Sequence, residues 1–463
     1  MDYDVLVLGA GIIGCAAAYE LSKYNLNIAV IEQDYDIADD VALINCAIVY
    51  DGCECEDSLI SRLEVMGNSI IEKVADKFNV NYKKCGHLII AEDEKSKEKL
   101  ENMYNISMSR GIKGIHLLDR DEVYKVEPNL NINVKKALYS ENTGIICPYD
   151  LAIAYGEIAF DNGVNFKLQE KVLDIQKMSK GFRVITNKNK FTCNTVLNTT
   201  PGENYSIDSF NKVNKSISNL RYFLLEKEFS GNFQNIISTL NESEDKMYAI
   251  PSIEGVSIIA MKTNENITCE ESIKKIGNFI GNIDEECINT VYESSFYNDS
   301  LMIDDSLIDN GYIKITGKNY NQVTTTPAIG KIVCDSIVSN LNCVLKKDFV
   351  DKRREFYRFR SLSNDERNKI IKLNPKYGKI ICNCQKISEG EIIDSIRRPL
   401  GARTIEGIKR RTGVAFGSCM GSQCLSKISS ILARETDKKI TDIVQDSKNS
   451  KIMLSRIKEF DDI

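Results

Sequence analysis

The spacing of apolar residues changes several times along the chain, and each change marks an element. Val5 to Leu8 is an unbroken apolar run of strand length, the pattern of a buried parallel strand. Gly9-Ala10-Gly11-Ile12-Ile13-Gly14 follows at once. An alanine-rich helical stretch then runs from Cys15 to Lys23, and a second apolar run, Ile28 to Ile31, ends at Glu32. Ser58 to Phe78 places Leu59, Ile60, Leu63, Ile70, Ile71 and Val74 at helical spacing and predicts a long helix. His87 to Ala91 reads as a strand and Glu94 to Arg110 as a charged helix. Asp119 to Leu130 contains a short helix stopped by Pro128. Leu151 to Asn162 is helical again, with Gly163 in the C-cap place. Phe182 to Asn187, Thr195 to Thr200, Tyr222 to Leu225, Ser257 to Met261 and Tyr312 to Thr316 read as strands. This mixture predicts an α/β protein.

The first of these segments carries chemistry. Gly9 permits a tight turn, Gly11 lets backbone approach a pyrophosphate, and Gly14 lets the helix lie close to the strand. The helix N-terminus offers N–H donors and partial positive charge to phosphates. Glu32, 18 residues past Gly14, is placed to accept hydrogen bonds from ribose hydroxyls. The order strand, glycines, helix, strand, acid predicts a dinucleotide site for FAD or NAD.

A second signal lies near the C-terminus. One residue separates Cys382 from Cys384, and after 34 intervening residues come Cys419 and Cys424, separated by four. Ser388 and Glu391 form a capping box ahead of a helix with Ile392, Ile393 and Ile396 on one face. Pro399 and Gly401 break it. Thr404 to Arg411 predicts a second helix, stopped at Gly413, and a third runs through Ile428, Ile431 and Leu432. Gly417 and Gly421 allow sharp turns around the last two cysteines. Four thiolates gathered this way suit zinc or an iron–sulfur cluster. Lys409-Arg410-Arg411 reads as a solvated helix face. Its charge would otherwise offset that of a tetrathiolate or dock an acidic partner.

Composition narrows the field. The net charge of −6 argues against a nucleic-acid binder. No apolar run reaches the length of a membrane span. Val5 to Ala18 is interrupted by three glycines and has no basic leader, so a signal peptide is not expected. Fifteen scattered cysteines point to reduced thiols and a cytoplasmic location. Cys15, Cys147, Cys193, Cys269, Cys287, Cys334 and Cys343 are expected buried, as small apolar residues. Cys53 and Cys55 are read as two lone thiols. The only histidines, His87 and His116, are read as structural.

The order of pieces resembles the D-amino-acid-oxidase-like FAD oxidoreductases, in the branch of anaerobic glycerol-3-phosphate dehydrogenases and L-2-hydroxyglutarate dehydrogenases. "GAGIIG" and "IEQD" match its dinucleotide fingerprint, "NTGIICPYDLAIAYGEIAFDNGVNFKLQEKV" its central stretch, and "GYIKITGKNYNQVTTTPAIGKIV" its C-terminal flavin segment. "YGKIICNC", "SEGEI", "RPLGA", "IKRRTG" and the four cysteines resemble the [2Fe-2S] domain of bacterioferritin-associated ferredoxin.

The resemblance implies a Rossmann-like FAD-binding domain with an inserted α+β substrate domain, plus a small helical C-terminal [2Fe-2S] domain. The boundaries read as 1–346 for the oxidoreductase, 347–377 for a linker, 378–435 for the cluster domain and 436–463 for a tail. Within the first, 1–85, 143–210 and 305–346 would hold FAD, and 86–142 and 211–304 would form the substrate part. Val172 would lie against adenine. Gly317 and the backbone of Val323, Thr324, Thr325 and Thr326 would border the flavin, with a helix starting near Pro327. Asn45 and Tyr50 would face the ring on the substrate side, and Cys382, Cys384, Cys419 and Cys424 would hold the cluster.

The implied activity is oxidation of a small hydroxy acid or polyol phosphate. Electrons would pass through the cluster to an acceptor protein or a partner flavoprotein subunit. Three departures bear on this. The flavin loop reads "ALINCAIVYDG", with Ala42, Cys46, Ala47 and Tyr50 where the family has Ser, Ser, Gly and His. "SSFYNDSL" lacks the substrate-binding arginine, and Pro201 replaces a glycine. Arg221 lies close to the substrate-side strand. An alternative reading is therefore an electron-transfer subunit whose substrate pocket has degenerated. A colourless zinc protein that binds a nucleotide without turnover is a third.

Overall fold

The computed structural model describes residues 1–39, 47–200, 202–208, 217–225, 233–240, 246–251, 257–262, 267–281, 285–297, 302–316, 319–417 and 419–455. Tyr3–Leu8 is the centre of the first sheet. It pairs in parallel with Ile28–Ile31 on one side and Lys190–Asn198 on the other. Asn165–Lys167 and Tyr312–Thr316 extend the parallel part, and Val172–Lys177 with Phe182–Thr186 adds an antiparallel flap.

The helix Ile12–Leu21 is buried nearly all round. It needs small residues because Pro148–Asp161 and Gln322–Leu341 both lie against it. Gly330 comes so close that an added Cβ would stand 3.3 Å from Ala16. The strand, glycine turn, helix and second strand match the order read from the sequence.

A second sheet of eight strands runs Ile288–Tyr297, Ile217–Leu225, Ile258–Lys262, Lys246–Ile250, Ile236–Leu240, His87–Ala91, Lys136–Ser140, Ile115–Asp119. Among the described residues of this sheet only Ile236–Leu240 and His87–Ala91 pair in parallel. The helix Cys269–Ile280 covers it, capped by a Thr268–Glu271 box and burying Ile276, Phe279 and Ile280. The sequence reading did not include this helix. Cys269 was expected buried and is exposed at the helix's first position, and Cys147 and Cys343 are half-buried.

Ile48–Val49, Gly144–Ile146 and Tyr82–Lys84 make a small sheet between the two large ones in sequence order. The helix expected near Pro327 begins instead at Gln322, with Pro327 inside it. Pro327 has no N–H to donate to the Val323 carbonyl, and one turn earlier the Thr325 and Thr326 hydroxyls both donate to the Gln322 carbonyl.

After Leu341 the chain crosses the first unit. The segment includes the helix Asn364–Leu373, and Arg353 is buried between Asp150 and Glu157. The C-terminal part has its own core around Ile392, Ile396, Ile405, Ile408, Ile428 and Leu432. Its helices are Glu389–Arg397, Ile405–Thr412 and Leu425–Thr436, close to the predicted ones. Among the described residues no helix is long and apolar enough to cross a membrane.

Candidate functional site

Gly9 has φ +94°, and a Cβ there would meet Thr199 Oγ1 at 3.0 Å. A Cβ on Gly14 would stand 2.0 Å from the Gly9 carbonyl oxygen, so only glycine lets the turn close. Gly11 caps the helix in extended conformation without a side-chain bond. Glu32 Oε2 accepts from the Ala10 N–H at 2.7 Å, which sets the acid beside the glycine turn. Val172 is buried with Leu6, Leu8 and Ile31. Thr324 Oγ1 accepts from the Tyr50 N–H at 3.0 Å, and Val323 and Thr325 are fully buried beside it. Asn45 and Gly317 lie outside the described residues, as do Ala42, Cys46 and Pro201.

The same helix end gathers buried polar atoms without hydrogen-bond partners: Asn319 Oδ1, Asn321 Oδ1, Gln322 Oε1 and Glu64 Oε2. Buried polar groups are rarely left unsatisfied, so this cluster marks a place built for a polar ligand. Together with the glycine cradle at Gly9 to Gly14, it fits a long dinucleotide such as FAD.

Facing it is a group the sequence reading did not assemble. Tyr50 is buried, and its ring lies 5.3 Å from that of Tyr320, edge to face. Lys246 Nζ reaches Glu54 Oε2 at 2.8 Å and stands 5.3 Å from the Tyr248 ring centre. His87 Nδ1 lies 3.1 Å from Glu54 Oε1, off the line of a hydrogen bond, while His87 Nε2 meets Ser238 Oγ at 2.8 Å.

Burial works against the Glu54 charge. Lys246 and His87 outweigh it and hold the carboxyl well below the usual range. Burial likewise opposes the Lys246 charge, but Glu54, Tyr248 and Tyr320 keep the ammonium well above its ordinary value. Glu64 goes the other way: burial pushes it up to about 8, although Asn321 Nδ2 donates to its Oε1 at 2.7 Å. His87 thus sits inside the site, between the Glu54 carboxylate and the Ser238 hydroxyl. His116 is exposed beside Glu141 at 2.9 Å. Arg221 is tied to Glu293 at 2.6 Å, to the Ile267 carbonyl and to Ser272, so its guanidinium braces the covering helix. Cys53 and Cys55 are free thiols. Burial raises both, Cys55 to about 12, which makes them poor nucleophiles.

The four C-terminal cysteines come together. Cys382 Sγ lies 3.5 Å from Cys384 Sγ, which lies 3.6 Å from Cys419 Sγ. Cys424 interacts with Cys382 from the buried side. Thiolates on one metal with bonds of about 2.3 Å stand roughly 3.7 Å apart, so these spacings suit shared ligation. Among the described residues no three ligating groups close around one point. Gly417 is required, since a Cβ there would stand 2.6 Å from Cys384 Sγ. Burial and the neighbouring thiols push Cys384 up to about 12, whereas the Gly421 N–H lowers Cys419.

The basic run does not form a solvated face. Arg411 makes two bonds to Asp36, at 2.6 and 2.7 Å, and Arg410 reaches Asp36 at 3.2 Å and Asp39 at 3.3 Å. Both guanidinium side chains are buried, and only Lys409 turns away, to Glu406. The arginines had a buried acid waiting in a segment 374 residues earlier, which local patterning does not reveal. Arg398 adds a second clasp, on Glu157.

Comparison with known proteins agrees with this geometry. A family model described as FAD dependent oxidoreductase matches residues 4–336, and one described as BFD-like [2Fe-2S] binding domain matches residues 380–434. A glycerol 3-phosphate dehydrogenase of Caloramator mitchellensis is 31% identical over 97% of this chain and 98% of its own length. A mitochondrial L-2-hydroxyglutarate dehydrogenase of Nematostella vectensis is 32% identical, over 34% of each chain. Among solved structures, the FAD-bound L-alpha-glycerophosphate oxidase of Mycoplasma pneumoniae superposes with a TM-score of 0.67. It covers 77% of this chain and 99% of that one at 19% identity, a likeness of fold.

Proposed function

The chain belongs to the family of FAD dependent oxidoreductases and ends in a BFD-like [2Fe-2S] binding domain, and from that premise we propose that it oxidises glycerol 3-phosphate and delivers the electrons to a separate acceptor. One observation carries the substrate: the Caloramator glycerol 3-phosphate dehydrogenase matches from end to end, cysteine domain included. When bound, FAD takes a hydride from the carbinol carbon, and the cluster carries electrons singly.

The chain's residues do the rest. Gly9, Gly11 and the helix N-terminus receive the pyrophosphate, and Glu32 receives the ribose hydroxyls. Val172 would border adenine, and Val323, Thr324 and Thr325 would border the flavin. Lys246, ion-paired with Glu54, sets an ammonium beside the tyrosine-lined site, where it can also donate to an anionic substrate group. Tyr50 would line the ring side. A phenol is a weak base and the Glu54 carboxyl is held ionised, so the hydroxyl proton is assigned to the His87 imidazole, which the Glu54 carboxylate would stabilise as a cation, leaving a ketone. Cys382, Cys384, Cys419 and Cys424 hold the two irons.

Anaerobic mixing tests the reading. Glycerol 3-phosphate is expected to bleach the flavin band and then reduce the cluster, with L-2-hydroxyglutarate inert. If glycerol 3-phosphate leaves the flavin oxidised while a partner flavoprotein reduces it, the protein is an electron-transfer subunit instead. The commitment of Arg221 to Glu293 is the observation that favours this second reading.

A further inference from the structure

Resting on the electron route just proposed, we infer that the cleft beside Cys384 is the docking surface for a small, acidic, one-electron carrier protein. Cys382 and Cys424 are buried at 1% and 0% exposure and Cys419 is half-buried, whereas Cys384 is exposed. The cysteine centre therefore reaches the surface on the Cys384 side. That side opens on a cleft of about 1140 Å³. Three distant stretches wall it: the end of Ser58–Lys77 with Tyr82–Lys84, the crossing segment at Arg360, and the loop Cys384 to Lys386.

The walls are braced. Arg360 Nη1 donates to Gln385 Oε1 at 3.1 Å, and Arg358 Nη1 donates to Asn81 Oδ1 at 2.6 Å. Such a surface is ready before a partner arrives, which lowers the ordering cost of association.

Its charge selects the partner. Lys73, Lys83, Arg360 and Lys386 line it against Glu72 and Asp76, in a protein whose net charge is −6. An acidic protein is repelled by the molecule as a whole and attracted here, so orientation and encounter are set together. Lys83 and Lys386 make no ion pair among the described residues and are left to face a partner. The lining is polar, which suits a transient encounter rather than a permanent subunit contact. Each encounter passes one electron from the cluster to the carrier and moves no proton. Two carriers are therefore reduced for each hydroxyl oxidised.

The test uses the holoprotein and a plant-type [2Fe-2S] ferredoxin as acidic probe. Affinity is measured at low and moderate salt for the native chain, for Lys83→Glu/Lys386→Glu, and for the remote pair Lys188→Glu/Lys190→Glu. Iron, sulfide and flavin contents confirm that each variant is folded and loaded. The expected result is saturable, salt-sensitive binding that weakens about tenfold or more in the first variant and is unchanged in the second. Equal binding by all three proteins would overturn the assignment, as would no saturable binding to the native chain. Free flavin mononucleotide occupying the cleft in place of the ferredoxin would also overturn it. Failure of the underlying route looks different: without any carrier, substrate does not reduce the cluster.

Discussion

The cysteine centre and the proposed substrate side are built by opposite strategies. Four thiols come from two short loops of one small unit, each loop bent by glycine or by residues with positive φ such as Lys386 and Met420. The substrate side draws Glu54, Glu64, His87, Ser238, Lys246 and Asn321 from six separate places in the chain. A site made of close neighbours writes itself into the spacing of its residues. A site made of distant ones exists only once two sheets have met.

The contrast yields graded expectations. Cys382→Ser has the largest effect, because one ligand of a local centre cannot be replaced from elsewhere. Iron and sulfide contents are expected to fall almost to zero while flavin content is kept, and loss of both would break the separation. Lys246→Met comes next. It leaves Glu54 buried with only His87, and truncating one partner of such a pair costs a few kcal/mol, so kcat/KM is expected to fall about a hundredfold with iron content unchanged.

The smallest effect belongs to Glu64. Its carboxyl titrates near 8 in the folded chain against an ordinary value of 4.5. Between those values the folded state holds a proton that the unfolded chain has released, so stability falls as pH rises. Urea unfolding at pH 5.5 and pH 8 is expected to show this slope in the native chain. In Glu64→Gln the slope should be shallower by up to about tenfold in the unfolding constant per pH unit. An unchanged slope would place the proton elsewhere.

The same contrast explains what could be read in advance. The nucleotide turn, Glu32 and the four cysteines were legible because glycine geometry and thiol spacing are local requirements. The helices of the C-terminal unit were legible because their caps and apolar faces lie within one segment. Arg410 and Arg411 were misjudged because their partner is Asp36. The start of the helix at Gln322 was misjudged because proline is common in the first turn, whereas here Pro327 stands inside the helix. Lys246 carries no signal in its own neighbourhood, and Glu54 sits between two cysteines that draw attention away from it.

The bond between Asp36 and its two arginines reaches beyond the two units it joins. Asp36 stands four residues after Glu32, and Ala38 of the same turn donates its N–H to the Ala10 carbonyl. The C-terminal unit is thus moored beside the turn that carries Ala10 and Glu32. Gene fission at the connecting segment would strand Asp36 as an interior anion stripped of its counter-ions, with Glu157 deprived of Arg398 as well. Evolution can alter either half, but it cannot cheaply part them.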